Sequence, residues 1–357
     1  MSFNYIGSKK SLIDFINIPL SKIINKNIDK SLTLLDGFAG TGIVGSSFKL
    51  KYNNLKIIAN DLEYYSYIIN YSLLLVPYSD KLINIIDIIN NYIINNPNIE
   101  LQDNYDLITK NYTPLGDDKR MYWTIENGII ADYCYYIFNK KLKENDINND
   151  EYIFLIASLL CSMDKIANTT SVYCAYLKKF KSSSINKLFL IPIHINKEID
   201  LENKVYNYDI NNTIILEQYY DIVYLDPPYN QRQYSANYHP LNFIANYNNK
   251  LELYGKTGLI KNYNKSKFCQ KTNAFEELQY LINNLKTKNI LLSYNNEGII
   301  NYDDMKEFLI SKGKVKLYKK IYKKYKSNIL QEDMNIYEYL FHLKISNINS
   351  FTEIIVN

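Results

Sequence analysis

Leu32-Thr33-Leu34-Leu35-Asp36-Gly37-Phe38-Ala39-Gly40-Thr41-Gly42 is an apolar run that ends in an acid and opens into a glycine-rich turn, with the amphipathic stretch Ile43 to Lys51 directly after it. A strand feeding a helix through small residues is the opening unit of an α/β sheet. Small side chains let the backbone turn tightly and approach a ligand, and the following helix offers its N-terminal amides. The spacing of Asp36, Gly40 and Gly42 is not the GxGxxG of a dinucleotide fold, and a purely structural strand-to-helix turn would look the same.

Outward from this stretch, four more apolar segments have strand character: Leu55 to Ala59, Lys204 to Tyr208, Asp221 to Leu225 and Asn289 to Tyr294. Amphipathic stretches such as Phe275 to Leu285 alternate with them, which predicts an open, mostly parallel sheet. Val315 to Tyr325 and Tyr337 to Ile345 read as an antiparallel hairpin at the sheet edge. Residues 76–199 break the alternation. They are mostly helical in pattern, include the low-complexity piece INIIDIINNYIINNPNIE, and look inserted between the two parts of a sheet domain, 1–75 and 200–357.

The 357 residues are 47% hydrophobic and 22% charged, a balance that predicts a globular chain with a substantial core. No apolar run of roughly 18 residues predicts a membrane span. The opening MSFNYIGSKK lacks the apolar centre of a signal peptide, so a cytoplasmic location is expected. Cys134, Cys161, Cys174 and Cys269 are scattered without metal-finger spacing; buried free thiols and no metal site are the expectation. A net charge of +4 decides nothing about nucleic acid.

Two further features carry chemistry. The second strand ends in Asn60-Asp61, and an acid there is where nucleoside-binding α/β folds accept hydrogen bonds from ribose hydroxyls, although a helix cap is the plainer role. Asp226-Pro227-Pro228-Tyr229 follows the strand Asp221 to Leu225. Two prolines remove two backbone donors and hold the chain extended, which leaves an array of acceptors. An amine presented to it donates one hydrogen to the Asp226 carboxylate and another to the Pro227 carbonyl, while Tyr229 offers a ring for stacking.

DGFAGTG, then ND, then DPPY, in that order, resembles the D12 class, the Dam-like alpha group of DNA adenine-N6 methyltransferases, and Tyr5-Ile6-Gly7-Ser8-Lys9 is similar to that group's opening. The likeness spans nearly the whole chain; ANTTSVYCAYLK, NQRQYSANYH, SYNNEG and KYKSN resemble a subgroup whose members modify the adenine of CATG. The resemblance implies a Rossmann-like methyltransferase sheet using S-adenosylmethionine on double-stranded DNA, with 76–199 as a target-recognition domain. It implies that Asp226, Pro227, Pro228 and Tyr229 are catalytic. Tyr5 and Lys9 would contact the methionine part of the cofactor, Phe38 would lie against it, Asp61 would hold the ribose, and Asp209 would lie near the adenine. Asp36, Gly40 and Gly42 complete this cofactor set. A cognate restriction endonuclease acting at the same site is a partner such enzymes can have. Gly37 and Pro240 depart from the family pattern, which puts the helix after the catalytic loop in question.

Gln231, Arg232, Gln233, Tyr234, Asn237 and His239 after the catalytic loop supply groups suited to phosphates and base edges. Arg120, Asn168, Tyr173 and Lys178 do so within 76–199, and Lys324 and Lys326 close a run of lysines starting at Lys312. Those lysines are either edge-strand protection or phosphate contacts. Two other functions fit the same residues, an RNA base methyltransferase or a DNA-binding protein that has lost turnover.

Overall fold

The seven predicted strands and one further strand assemble into an eight-stranded sheet in the computed structural model, which describes residues 7–199, 202–322 and 336–356. In chain order they are β1 (Leu32–Asp36), β2 (Leu55–Asn60), β3 (Lys204–Tyr206), β4 (Ile222–Leu225), β5 (Asn289–Asn295), β6 (Gly313–Tyr322), β7 (Ile336–Ile345) and β8 (Ser350–Val356). Across the sheet the order is β8-β6-β7-β5-β4-β1-β2-β3. β2, β1, β4 and β5 are mutually parallel, with Leu34 of β1 registered against Ile57 on one side and Ile222 on the other. All four residues of β4 are buried, the continuous apolar pattern of a strand covered on both faces. The fold is a Rossmann-like α/β sheet.

After β1 the chain builds outward through β2 and β3, then returns to lay β4 on the opposite side of β1. In such sheets ligands bind at the carboxyl ends of the strands that flank this reversal, here the ends of β1 and β4.

The C-terminal strands correct one expectation. β6 and β7 do pair antiparallel, but β7 lies against β5 and β6 carries β8 on its far side, parallel. β6 is therefore an interior strand, and protection of an exposed edge is not the role of its lysines. Lys319 instead bridges to Glu353 of β8 at 3.4 Å, with its ammonium 4.7 Å from the Tyr337 ring centre. β8 escaped the sequence because its residues are half-buried or exposed, so its apolar pattern is weak.

The chain divides into two compact units. One holds 9–62, 206–233 and the described part of 265–357, with a core that includes Leu35, Val223, Leu225, Ile290, Leu292, Leu317 and Phe341. The other holds Gly7, Ser8, the described part of 63–205, and 234–264. Its main helices are Tyr64–Leu75, Asp80–Asn95, Ile125–Lys143, Asn149–Lys165 and His239–Asn246. This helical unit exceeds the expected interval 76–199 at both ends. Tyr65, Ile68 and Ile69 join its core from one side, and Phe243 and Ile244 from the other. Asn242 fixes the junction: its side-chain oxygen accepts from the Tyr65 amide at 3.1 Å and its nitrogen donates to Glu63 at 2.6 Å. Pro240 sits in the first turn of its helix, where no intrahelical partner for an amide exists, so the helix forms undisturbed. Among the described residues no helix is long and apolar enough to cross a membrane. Cys134, Cys161 and Cys269 are buried free thiols, but Cys174 is exposed, contrary to expectation.

Candidate active site

The turn after β1 is held from three sides. Gly40 and Gly42 take φ values of 51° and 72°, in the left-handed region that side chains resist, and Gly42 caps the helix Ile43–Lys51. One oxygen of Asp36 accepts the Gly45 amide of that helix at 3.0 Å. The Asn60 carbonyl accepts from the Ala39 amide at 3.0 Å, and Asp61 accepts from the Gly40 amide at 2.7 Å. Asn60 is itself fixed by bonds to Gly37 and Tyr208, so the ends of β1 and β2 and the segment after β3 form one rigid cradle.

Asp36 is 1% exposed and its other oxygen is buried with no partner. Burial pushes its carboxyl up to about 7; the Gly45 amide opposes this, and the nearby carboxylates Asp226 and Asp61 add to it. Three acids at the mouth of a sheet, one with an unfilled acceptor, favour a cationic ligand.

Beside this cradle, the loop from Asp226 to Tyr229 is closed on itself. Lys9 is 3% exposed; its ammonium lies 3.1 Å from Asp226 and donates to the Tyr229 hydroxyl at 2.6 Å. The Tyr229 hydroxyl in turn donates to the same oxygen of Asp226, and its ring meets Tyr294 edge-on at 5.0 Å. Burial raises the Asp226 carboxyl, while Lys9 and the Tyr229 hydroxyl pull it down. The Tyr229 carbonyl accepts from the Ile299 amide at 3.0 Å, and the Tyr294 hydroxyl accepts from the Ile300 amide at 3.0 Å. A side chain at Gly298 would strike the Tyr294 ring, with 2.1 Å to the nearest atom, so SYNNEG folds back as a support for the loop.

Elsewhere the expected residues separate into those that converge and those that serve the scaffold. Lys9, Asp36, Gly40, Gly42, Asp61, Asp226 and Tyr229 come together at the ends of β1, β2 and β4. Phe38 is half-buried, edge-on to Phe268 at 5.1 Å, a neighbour the sequence did not indicate. Asp209 is exposed and accepts the Asn211 amide at 2.9 Å. Of the expected DNA contacts, Lys178, Gln231 and Arg232 are exposed. Gln233 is tied to Ser266 through both ends of its amide.

Arg120, Asn168, Tyr173 and His239 are buried in the helical unit instead. Arg120 donates to the carbonyls of Asn111, Gly255 and Lys256. Asn168 bonds to Met121, Leu177 and Lys181, and the Tyr173 hydroxyl donates to Asp164 at 2.8 Å. His239 stands between the hydroxyls of Tyr112 and Tyr122 at 3.3 and 3.4 Å, and burial, aided by Arg120, depresses its pKa to about 3, so it stays neutral. Their polar atoms are committed to the fold, because a buried polar group must be paired. Asn237 is likewise buried, its carbonyl accepting from the Tyr173 amide, and Tyr234 is half-buried against the helical core. Tyr5, Lys323, Lys324 and Lys326 lie outside the described residues.

Glu338 was not among the residues that the sequence singled out. It is the one acid in the run Ile336–Ile345, and one of its oxygens is buried without a partner. A lone acid within a largely apolar strand was the available signal.

The pattern of D12 class N6 adenine-specific DNA methyltransferases matches residues 5–333. The chain belongs to that family. Within the D12 context it is 36% identical to the Type II methyltransferase M.NlaIII of Neisseria lactamica, over 91% of this chain and 93% of that protein. It is 35% identical to the Type II methyltransferase M.CviAII of Paramecium bursaria Chlorella virus 1, over 96% of this chain and 98% of the relative. Identity to the Type II methyltransferase M.FokI of Planomicrobium okeanokoites is 36% over 95% of this chain, and there the chain spans 52% of the relative's length.

Proposed function

We propose that this chain transfers a methyl group from S-adenosylmethionine to the N6 amine of adenine in duplex DNA, with Asp226 as the residue that holds the amine. The observation that carries it is the convergence of Asp36, Asp61 and Asp226 at the carboxyl ends of neighbouring strands, beside a glycine turn held by the Gly40 to Asp61 bond. S-adenosylmethionine fits this donor and acceptor set, since its sulfonium and ammonium suit three clustered acids and the unfilled oxygen of Asp36. Asp61 would hold the ribose, Phe38 would lie against the cofactor, and Lys9 would reach its methionine part. The bound cofactor supplies an electrophilic methyl group and no metal is required.

The chain's own residues then do the positioning. An adenine N6 lone pair is delocalised into the ring, so the amine must be held with that pair directed at the methyl carbon. Asp226 and the Pro227 carbonyl take its two hydrogens, with Pro228 keeping the loop extended and Tyr229 supplying a stacking face. As the carbon–nitrogen bond formed, the methyl–sulfur bond of the donor would break to leave a neutral thioether, and Asp226 would accept the N6 proton. The base has to leave the duplex first, at a cost of about a few kcal/mol that pocket contacts offset.

We further infer that the helical unit reads the flanking bases, with Lys178 together with Gln231 and Arg232 of the loop after Tyr229 on phosphates and base edges, that CATG is the site, and that a restriction endonuclease acts at the same sequence. Transfer of radiolabelled methyl to duplex DNA, assayed beside RNA, tests the activity; label in RNA alone would overturn it. Exchanging residues 63–205 and 234–264 with those of a relative of different specificity should move the methylated motif read by single-molecule sequencing. An active chimaera that keeps its motif would place selectivity in Gln231 and Arg232.

A further inference from the structure

Glu338 stands on β7 with Asn295 of β5 opposite it on one side and Lys320 of β6 on the other. Asn295 is the last residue of β5, so Glu338 lies at the same end of the sheet as Asp226, which directly follows β4. Its second oxygen is buried and unpartnered. The charges acting on it are Lys9 and Asp226, and it acts in turn on the hydroxyls of Tyr224 and Tyr229. An unfilled buried carboxylate oxygen within the field of a buried ammonium calls for an explanation.

Asp226 supplies one. Lys9 and the Tyr229 hydroxyl both occupy the oxygen Oδ1 of Asp226. An amine that is to donate to this oxygen displaces them, and a buried ammonium that gives up one carboxylate is best kept by a second one nearby. The ammonium has three hydrogens on a flexible stem and can turn between acceptors.

We propose that Glu338 is a positioning residue: it receives the Lys9 ammonium when Asp226 engages the target amine, so that Lys9 alternates between two carboxylates. This rests on Asp226 being the amine acceptor. Glu338 never touches the reacting atoms; it clears Asp226 for them and keeps Lys9 paired throughout. Burial pushes the Glu338 carboxyl up to about 7, with Lys9 lowering it and Asp226 raising it. Only the ionised form can take over the lysine, so transfer through this route rises with pH across neutrality.

Single-turnover methyl transfer with saturating cofactor and duplex DNA tests the exchange in the full chain. Glu338→Gln should slow transfer at least tenfold with cofactor and DNA dissociation constants within twofold of the original. It should also flatten the rise in rate around pH 7, and Glu338→Asp should restore part of both. In a Lys9→Met background, Glu338→Gln should cause little further loss, because no ammonium remains to be received. Wild-type rate and pH profile in Glu338→Gln would overturn the proposal, as would losses that simply multiply in the double variant. If the Asp226 assignment itself is wrong, Asp226→Ala stays active, an outcome independent of both Glu338 results.

Discussion

Asp61 accepts the amide hydrogen of Gly40 at 2.7 Å, and through that bond the residue after β2 fixes the glycine turn that follows β1. The acid proposed to hold a ribose is therefore also the acid that shapes the turn. Asp61→Ala should weaken cofactor binding on both counts, by roughly ten- to a hundredfold, the worth of a hydrogen bond to a charged group. Asp61→Asn, which keeps an acceptor for Gly40, should lose less. Calorimetric titration distinguishes the two; equal and normal affinities would remove the assignment.

Asp226→Ala should abolish methyl transfer while cofactor affinity changes little. It also strips Lys9 of its ion pair, so a lower melting temperature is expected alongside. Asp226→Asn keeps an acceptor for the Tyr229 hydroxyl and should melt closer to the original protein, yet still be strongly impaired in turnover. Normal turnover of either variant would end the catalytic assignment.

Asp36 should make binding of the proposed cofactor pH-dependent. Its carboxyl is raised to about 7 in the folded protein, so near pH 6 it is largely protonated. A cationic ligand beside its unfilled oxygen favours the ionised form, so binding releases a proton and affinity rises with pH up to about 7. Titration calorimetry at pH 6 in buffers of different ionisation enthalpy measures the release; Asp36→Asn should abolish it. The same raised pKa destabilises the fold as pH rises. The contribution is fully present below the unfolded value of 3.8 and is lost on passing through 7. Asp36→Asn should therefore gain stability over the original protein between these values, and equal pH dependence of melting in both would show that Asp36 does not titrate there.

Arg120 and Lys178 should separate cleanly. Arg120 is 4% exposed and spends its guanidinium on three carbonyls, while its pairing with the exposed Asp118 adds little. Arg120→Ala should cost about 2 kcal/mol of stability, seen as a fall in melting temperature, because three carbonyls lose their shared donor and the buried side chain leaves a void. Lys178→Ala and Arg232→Ala should leave melting unchanged and reduce the slope of log DNA affinity against log salt by roughly 1 each. An unaltered slope would show that neither exposed cation meets phosphate.

What the sequence by itself determined was local and consecutive. The apolar runs, the glycine turn and the order DGFAGTG, ND, DPPY specified the α/β class, most sheet strands and the acids at their ends, because strand periodicity, turn chemistry and motif order are all written within a few neighbouring residues. Tertiary structure alone decided which polar residues are available. Asn168, Tyr173 and His239 have the chemistry of DNA contacts, yet burial commits them to Met121, Asp164 and the tyrosines around them. It also decided the extent of the helical unit, because the Asn242 bonds to Glu63 and Tyr65 join segments that sequence separates by 177 or more positions. Lys9 meets Asp226, and Glu338 lies within their electrostatic reach, for the same reason. Strand order places β7 beside β5 and the Lys9 ammonium beside Asp226, and no pattern in a linear chain encodes which distant charges a sheet brings to one end.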